Sequence, residues 1–168
     1  MICIRYVQSR DIKQIAKIKV DGWKSAYKGI IDDKFLDSMS ISRQIDIINN
    51  YSLDTMFVAE NNNEILGFCR IYDYNEPVYD DNEIDCEIRE IYVNSSLKRM
   101  GIGSTLFNFI KEYFSQKGKR KLYLGCLKDN HSARKFYEKM GGISTGSKEI
   151  EIGGKLYPIV DFIYNLNS

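Results

Sequence analysis

Between Ile84 and Phe114 the spacing of apolar residues changes from two to 3.6, and the change is made across two closely spaced glycines. Ile84, Cys86 and Ile88 alternate as one face of a half-buried strand does. The next apolar pair, Ile91 and Val93, is out of phase with them. An alternation that slips without a turn predicts a strand with a β-bulge near Arg89-Glu90. From Ile102 onward Leu106, Phe109, Ile110, Tyr113 and Phe114 keep the spacing of one helix face. Gly101 and Gly103 fall at the junction, where the first amides of a helix have no intrahelical acceptor. Such a junction is an anion site, and diphosphate is the usual anion.

The residues around the glycines discriminate among diphosphate folds. A P-loop needs Lys-Ser/Thr after its second glycine, and Gly103-Ser104 has no lysine there. A dinucleotide fold needs a third glycine and an acidic residue about 20 positions on. Here Leu106 stands at the first of these places and Lys119-Arg120-Lys121 near the second. The pattern that remains, Lys98-Arg99-Met100-Gly101-Ile102-Gly103, resembles the Gln/Arg-x-x-Gly-x-Gly/Ala signature of the GCN5-related N-acetyltransferases. Lys98 replaces the usual Gln or Arg and keeps a cation at that place.

A second motif lies one strand downstream. Asn130-His-Ser-Ala133-Arg-Lys-Phe-Tyr137-Glu-Lys-Met-Gly141 resembles the same family's Asn-x-x-Ala-x-x-x-Tyr-x-x-x-Gly helix, with Gly142 in place of the usual phenylalanine. The resemblance covers nearly the whole chain. It implies an α/β fold with a central, mostly antiparallel mixed sheet, helices on both faces and a splayed, bulged strand. It also implies one N-acetyltransferase domain over residues 1–168, with acetyl-CoA as co-substrate.

Composition narrows the function classes. The 168 residues suit one domain with a sizeable core, and 24 basic against 23 acidic residues give no field to draw nucleic acid. No run approaches the ~20 apolar residues of a membrane span, and Met1-Ile-Cys-Ile-Arg5 is too short for the apolar region of a signal peptide. The four cysteines, Cys3, Cys69, Cys86 and Cys126, are scattered, as reduced core residues of a cytoplasmic protein are. A single histidine and the lack of a Cys-x-x-Cys argue against a structural zinc, and no metal is expected. The expected partner is a small-molecule amine, with neither nucleic acid nor membrane, on a monomer or homodimer.

Elsewhere, Ile2 to Val7 reads as a strand, and Asp11 as a residue that caps or charges a helix carrying Ile12, Ile15 and Ile18 inward. A second helix is predicted from Asp33 toward Asn50. Trp23 and Tyr27 either line an acceptor pocket or anchor the core; this segment resembles a bacterial subgroup some of whose members acetylate polyamines. Met56–Glu60 and Glu64–Tyr72 form a hairpin across Asn61-Asn-Asn63. Asp73, Glu76, Asp80, Asp81, Glu83 and Asp85 follow without a basic residue among them, as a solvated loop or as a collar attracting a cationic amine. Lys121–Leu127 reads as a strand, and Glu149–Ile152 with Tyr157–Leu166 as a closing hairpin.

Acetyl transfer to an amine needs a held donor, a neutral amine, a polarised carbonyl and a stabilised thiolate. The resemblance assigns the diphosphate to the loop amides of Arg99 to Ser104, and the pantetheine arm to main-chain groups of Ile91, Tyr92 and Val93. A bulge frees such groups to pair, and one N–H among them can polarise the carbonyl. The amine, whose unperturbed pKa is near ~10.4, must lose a proton to a carboxylate directly or through water. Glu87 and Glu90 are the candidates. Glu87, fourteen positions before Gly101, matches the spacing of the base in the family's histone-acetylating branch. Tyr137 matches the tyrosine that protonates the thiolate, and Asn130 and Ala133 belong to the same donor-binding helix, with Asn130 contacting pantetheine, capping the helix, or both. These residues predict an acetyl-CoA-dependent N-acetyltransferase acting on a small cationic amine, with protein amino groups as a rival acceptor and a non-catalytic CoA-binding module as the rival class.

Overall fold

The computed structural model of the chain describes residues 1–78 and 83–167. Its strands are β1 (Cys3–Tyr6), β2 (Met56–Asn61), β3 (Glu64–Asp73), β4 (Ile84–Val93), β5 (Lys121–Leu127), β6 (Ile143–Ile152) and β7 (Lys155–Asn165). The helices are α1 (Ile12–Ala26), α2 (Asp33–Ser38), α3 (Ile41–Ile48), α4 (Ile102–Gln116) and α5 (His131–Lys139). The strands form one mixed sheet in the order β1-β2-β3-β4-β5-β7-β6, the α/β class that the sequence implies. β1 and β3 flank β2 antiparallel, β4 and β5 run parallel, and β7 lies antiparallel to both β5 and β6. The β2–β3 hairpin turns where expected, with Asn62 and Asn63 at φ 51° and 66°, left-handed values that asparagine tolerates better than most residues. The chain divides into two compact units, Met1–Arg70 with Glu90–Leu106 and Ile71–Arg89 with Phe107–Ser168.

In the first unit the inward stripe of α1, Ile12, Ile15, Ala16 and Ile18, packs with Ile48 of α3 and with Met56, Val58, Ile65 and Phe68 of the β2–β3 hairpin. Asp11 does not cap α1 with its side chain. Its buried carboxylate instead takes two bonds from Arg5, at 2.8 and 3.1 Å, and the Gln8 amide at 2.8 Å. Arg5 also reaches Glu60 at 2.5 Å, so one guanidinium ties β1 to β2 and to the turn before α1. The single helix expected from Asp33 toward Asn50 is two. The Ser40 hydroxyl accepts the Arg43 amide at 3.2 Å, starting α3 afresh after Met39 has left the helical region.

In the second unit, helix α4 buries Phe107 fully alongside Ile110 and Phe114, giving it a wider apolar face than the single spacing implies. The first half of β4 also departs from its pattern: Asp85 and Glu87 are buried along with Ile84, Cys86 and Ile88. The register of β4 against β5 shifts between Ile84 and Cys86. Cys69, Cys86 and Cys126 are buried as expected and none is disulfide-bonded, but Cys3 is exposed.

Within the acidic segment Asp73, Glu83 and Asp85 have partners. Asp73 pairs with Lys117 and, at 2.5 Å, with Lys119; Glu83 pairs with Arg120 at 3.2 Å. Asp85 accepts the backbone amides of Arg120 and Lys121 at 3.0 to 3.2 Å. These carboxylates therefore anchor the segment to the turn between α4 and β5. Asp80 and Asp81 lie outside the described residues.

Candidate active site

The loop between β4 and α4 enters the helix through a short turn and two left-handed residues. Asn94 caps a short 3-10 turn over Ser95–Leu97, its side chain accepting the Ser96 amide at 3.1 Å. Arg99 and Gly101 then take left-handed φ values of 67° and 80°. The first helical bond of α4 runs from the Thr105 amide to the Gly101 carbonyl at 3.0 Å. The amides of Ile102, Gly103 and Ser104 thus precede any intrahelical acceptor, at the positive end of a 15-residue helix dipole. Lys98, Arg99 and Met100 are exposed beside them. The donor set is therefore backbone N–H groups plus two accessible cations, chemistry that fits a diphosphate.

In the same unit, Trp23 donates from Nε1 to the Tyr92 hydroxyl at 2.8 Å, and packs edge-on to Tyr27 with ring centroids 4.9 Å apart. Phe35 stands 6.1 Å from Trp23. The Tyr92 ring lies 5.6 Å from that of Phe68, and burial, with Tyr27 and Glu90 adding to it, pushes its phenol well above the ordinary tyrosine range. The structure thus unites Trp23, Tyr27 and Tyr92 as one group. The bridging hydroxyl of Tyr92 was missed from sequence, where Tyr92 drew attention only through its backbone.

Glu90 lies in a buried ion cluster. One carboxylate oxygen meets Lys19 Nζ at 2.5 Å and the other meets Arg70 Nε at 2.6 Å, with all three side chains about 10% exposed. The Arg70 guanidinium also covers the Tyr51 ring at 4.0 Å. Burial alone would raise the Glu90 carboxyl, but the two cations outweigh it and hold it below the usual carboxylate range. Lys19 and Arg70 were not singled out from sequence. Their signal was a charged residue on the apolar face of α1, four after Ile15, and another within the apolar run of β3.

The second unit holds the other candidates. Glu87 is 3% exposed; it accepts from the Tyr74 hydroxyl at 2.6 Å and from Arg89 at 3.2 Å. Asn130 caps α5 by accepting the Ala133 amide at 3.3 Å. Tyr137 is half-buried on α5, among the rings of Phe107, Phe136 and Phe162. Its carbonyl accepts from the Tyr164 hydroxyl at 2.8 Å. Gly142 belongs to this arrangement: a Cβ there would lie 2.7 Å from Tyr164, whose ring fills the space. That close approach accounts for glycine where the family motif has phenylalanine. Among the described residues, no group of three or more His, Cys, Asp or Glu side chains is arranged for a metal ion, and no helix is long and apolar enough to cross a membrane.

Comparison with known proteins agrees with these features. The model of the acetyltransferase (GNAT) family matches residues 22–142, a stretch that includes both motifs. An uncharacterized N-acetyltransferase of Bacillus subtilis, YuaI, is 28% identical over 156 residues, 92% of this chain and 87% of its own length. Among solved structures, the PaiA N-acetyltransferase of Thermoplasma acidophilum in complex with coenzyme A superposes with a TM-score of 0.69, at 19% identity, over 98% of this chain and 99% of that one. The structure of YncA from Salmonella typhimurium with its cofactor acetyl-CoA gives a TM-score of 0.72 at 16% identity, over 100% and 95% of the two chains. The chain belongs to the acetyltransferase (GNAT) family and is an acetyl-CoA-dependent N-acetyltransferase.

Proposed function

We propose that the chain acetylates a primary amine of a small, cationic acceptor by direct attack on acetyl-CoA in a ternary complex. The observation that carries the reading is the set of α4 first-turn amides behind a left-handed Arg99 and Gly101, with Lys98 and Arg99 exposed beside them. These groups are assigned the diphosphate. The backbone of Ile91, Tyr92 and Val93 is assigned the pantetheine arm, and one of its N–H groups the polarised carbonyl. The acceptor is assigned to Trp23 and Tyr27, whose ring faces attract a cation. With Asp73 and Glu83 paired to lysines and an arginine and Asp85 taken up by backbone amides, the preference for a cation is assigned to these rings.

In the proposed reaction the amine nitrogen, after yielding a proton toward Glu87 directly or through water, attacks the thioester carbon. The C–S bond breaks, the thiolate takes a proton from the Tyr137 hydroxyl, and the second proton lost by the nitrogen as the amide forms returns to the Tyr137 phenolate directly or through water. Glu87 is preferred to Glu90 as the base because one of its two partners is a neutral phenol, whereas both oxygens of Glu90 are held by cations. Asn130 and Ala133 hold the start of α5 in place for Tyr137. Thiol release from acetyl-CoA should be measured with polyamines, amino acids, aminoglycosides and peptides as acceptors. Turnover with a polyamine above that with zwitterionic amino acids supports the reading. Preference for peptides moves the acceptor to protein amino groups, and tight CoA binding without turnover on any acceptor refutes it in favour of a binding module.

A further inference from the structure

Strand β3 has one bare position in its buried run, Gly67, between Leu66 and Phe68. All three residues deal with the end of β4. The Leu66 carbonyl accepts the Asn94 amide at 2.8 Å, and the Phe68 ring packs against that of Tyr92. At Gly67 the neighbour is backbone: a Cβ built there would lie 2.8 Å from the Tyr92 carbonyl oxygen and 3.3 Å from the Val93 Cα. Leu106, in the second turn of α4, would be 3.2 Å away through its Cδ1. A strand's Cβ projects out of the plane of its sheet. The Tyr92 carbonyl has therefore risen off that plane into space that any other residue would fill. Leu106 can rotate away from an added methyl, but a carbonyl oxygen moves only with its strand.

We propose that Gly67 is a positioning residue for the acetyl donor: its missing side chain sets the height at which Tyr92 and Val93 present their backbone to the pantetheine arm. The inference rests on the proposed assignment of that arm to Ile91, Tyr92 and Val93, and deepens it. Alanine at 67 lifts this part of β4 by a few tenths of an ångström, enough to spoil hydrogen bonds whose strength falls steeply with geometry. The loop amides of Ile102 to Ser104 are displaced less, because what reaches Gly67 from α4 is only the tip of Leu106.

The test compares two ligands on Gly67→Ala by calorimetry: coenzyme A, and ADP, which carries a diphosphate and no pantetheine. Dissociation of coenzyme A should weaken about tenfold, the equivalent of one or two backbone hydrogen bonds, while that of ADP stays within about twofold. Gly146→Ala, where an added Cβ meets nothing within 4 Å, serves as the control and should match the parent for both ligands. Equal weakening of both ligands, or of neither, in a folded variant overturns the proposal. If the parent itself binds coenzyme A no better than ADP, the pantetheine assignment fails instead. Should Gly67→Ala not fold, amide resonances of the native protein decide. On adding coenzyme A the Gly67 and Val93 amides should shift together, and a stationary Gly67 with moving Gly101 and Gly103 refutes the role.

Discussion

Replacing Glu90 by glutamine removes one negative charge from between two buried cations while keeping nearly the same shape. Lys19 and Arg70 are then left facing each other across an amide, with side chains only about 10% exposed. Removing one partner of a buried ion pair costs about 3–5 kcal/mol, since the remaining charge has neither its partner nor water. The residual exposure and the Tyr51 ring under Arg70 place this case near 3 kcal/mol. For a chain of this length that is a fall of roughly 6–12 °C in Tm. Urea unfolding followed by circular dichroism should show it as a lower midpoint at unchanged slope. Replacing all three residues together, Lys19→Met, Arg70→Met and Glu90→Leu, should recover most of the loss, because an apolar trio need not be desolvated as ions. The pH dependence has a defined sign. The folded state depresses the Glu90 carboxyl, so its contribution is present above the unfolded value of about 4.3 and is lost as pH falls through the lower folded value. The gap between parent and Glu90→Gln should therefore close in acid. A Glu90→Gln protein within 1 kcal/mol of the parent at neutral pH, or a gap that widens in acid, would refute the reasoning.

Gly103→Glu places a carboxylate among the first amides of α4 and should abolish coenzyme A binding with an unaltered circular dichroism spectrum; unchanged affinity in calorimetry would remove the diphosphate from this loop. Tyr137→Phe keeps the ring among Phe107, Phe136 and Phe162 and loses only its proton donor, so turnover should fall on the order of 10²-fold with donor affinity preserved. Equal turnover would leave Tyr137 a packing residue. Tyr92→Phe deletes the acceptor of the Trp23 Nε1 bond without touching the β4 backbone. The KM for the amine should rise about three- to tenfold while that for acetyl-CoA holds, and a change confined to acetyl-CoA would take Trp23 out of the acceptor site.

How much of this protein was legible in one dimension depended on the range of the interaction concerned. The β2–β3 turn, the strand-to-helix switch around Gly101 and the capped start of α5 rest on contacts within about four positions along the chain. Periodicity and residue type carry that information directly. The restart of α3 at Ser40 was of the same kind, and was overlooked because Ile41, Ile45 and Ile48 prolong the helical spacing across the break. The ion pairs were not legible. Glu90 reads as a polar residue on a strand until β3 and α1 bring Arg70 and Lys19 to it, and Asp73 reads as part of an unopposed acidic run until the turn after α4 presents Lys117 and Lys119. Gly67 and Gly142 show the same limit for packing. Each is one more small residue in the sequence, and only the fold reveals that the Tyr92 carbonyl or the Tyr164 ring occupies the place of its side chain. Local backbone preference therefore determined the elements and the left-handed turn that leads into α4. Which charges are neutralised, and which positions must stay bare, was decided when the sheet closed strands and helices upon one another, because Coulombic and steric terms depend on distance in space.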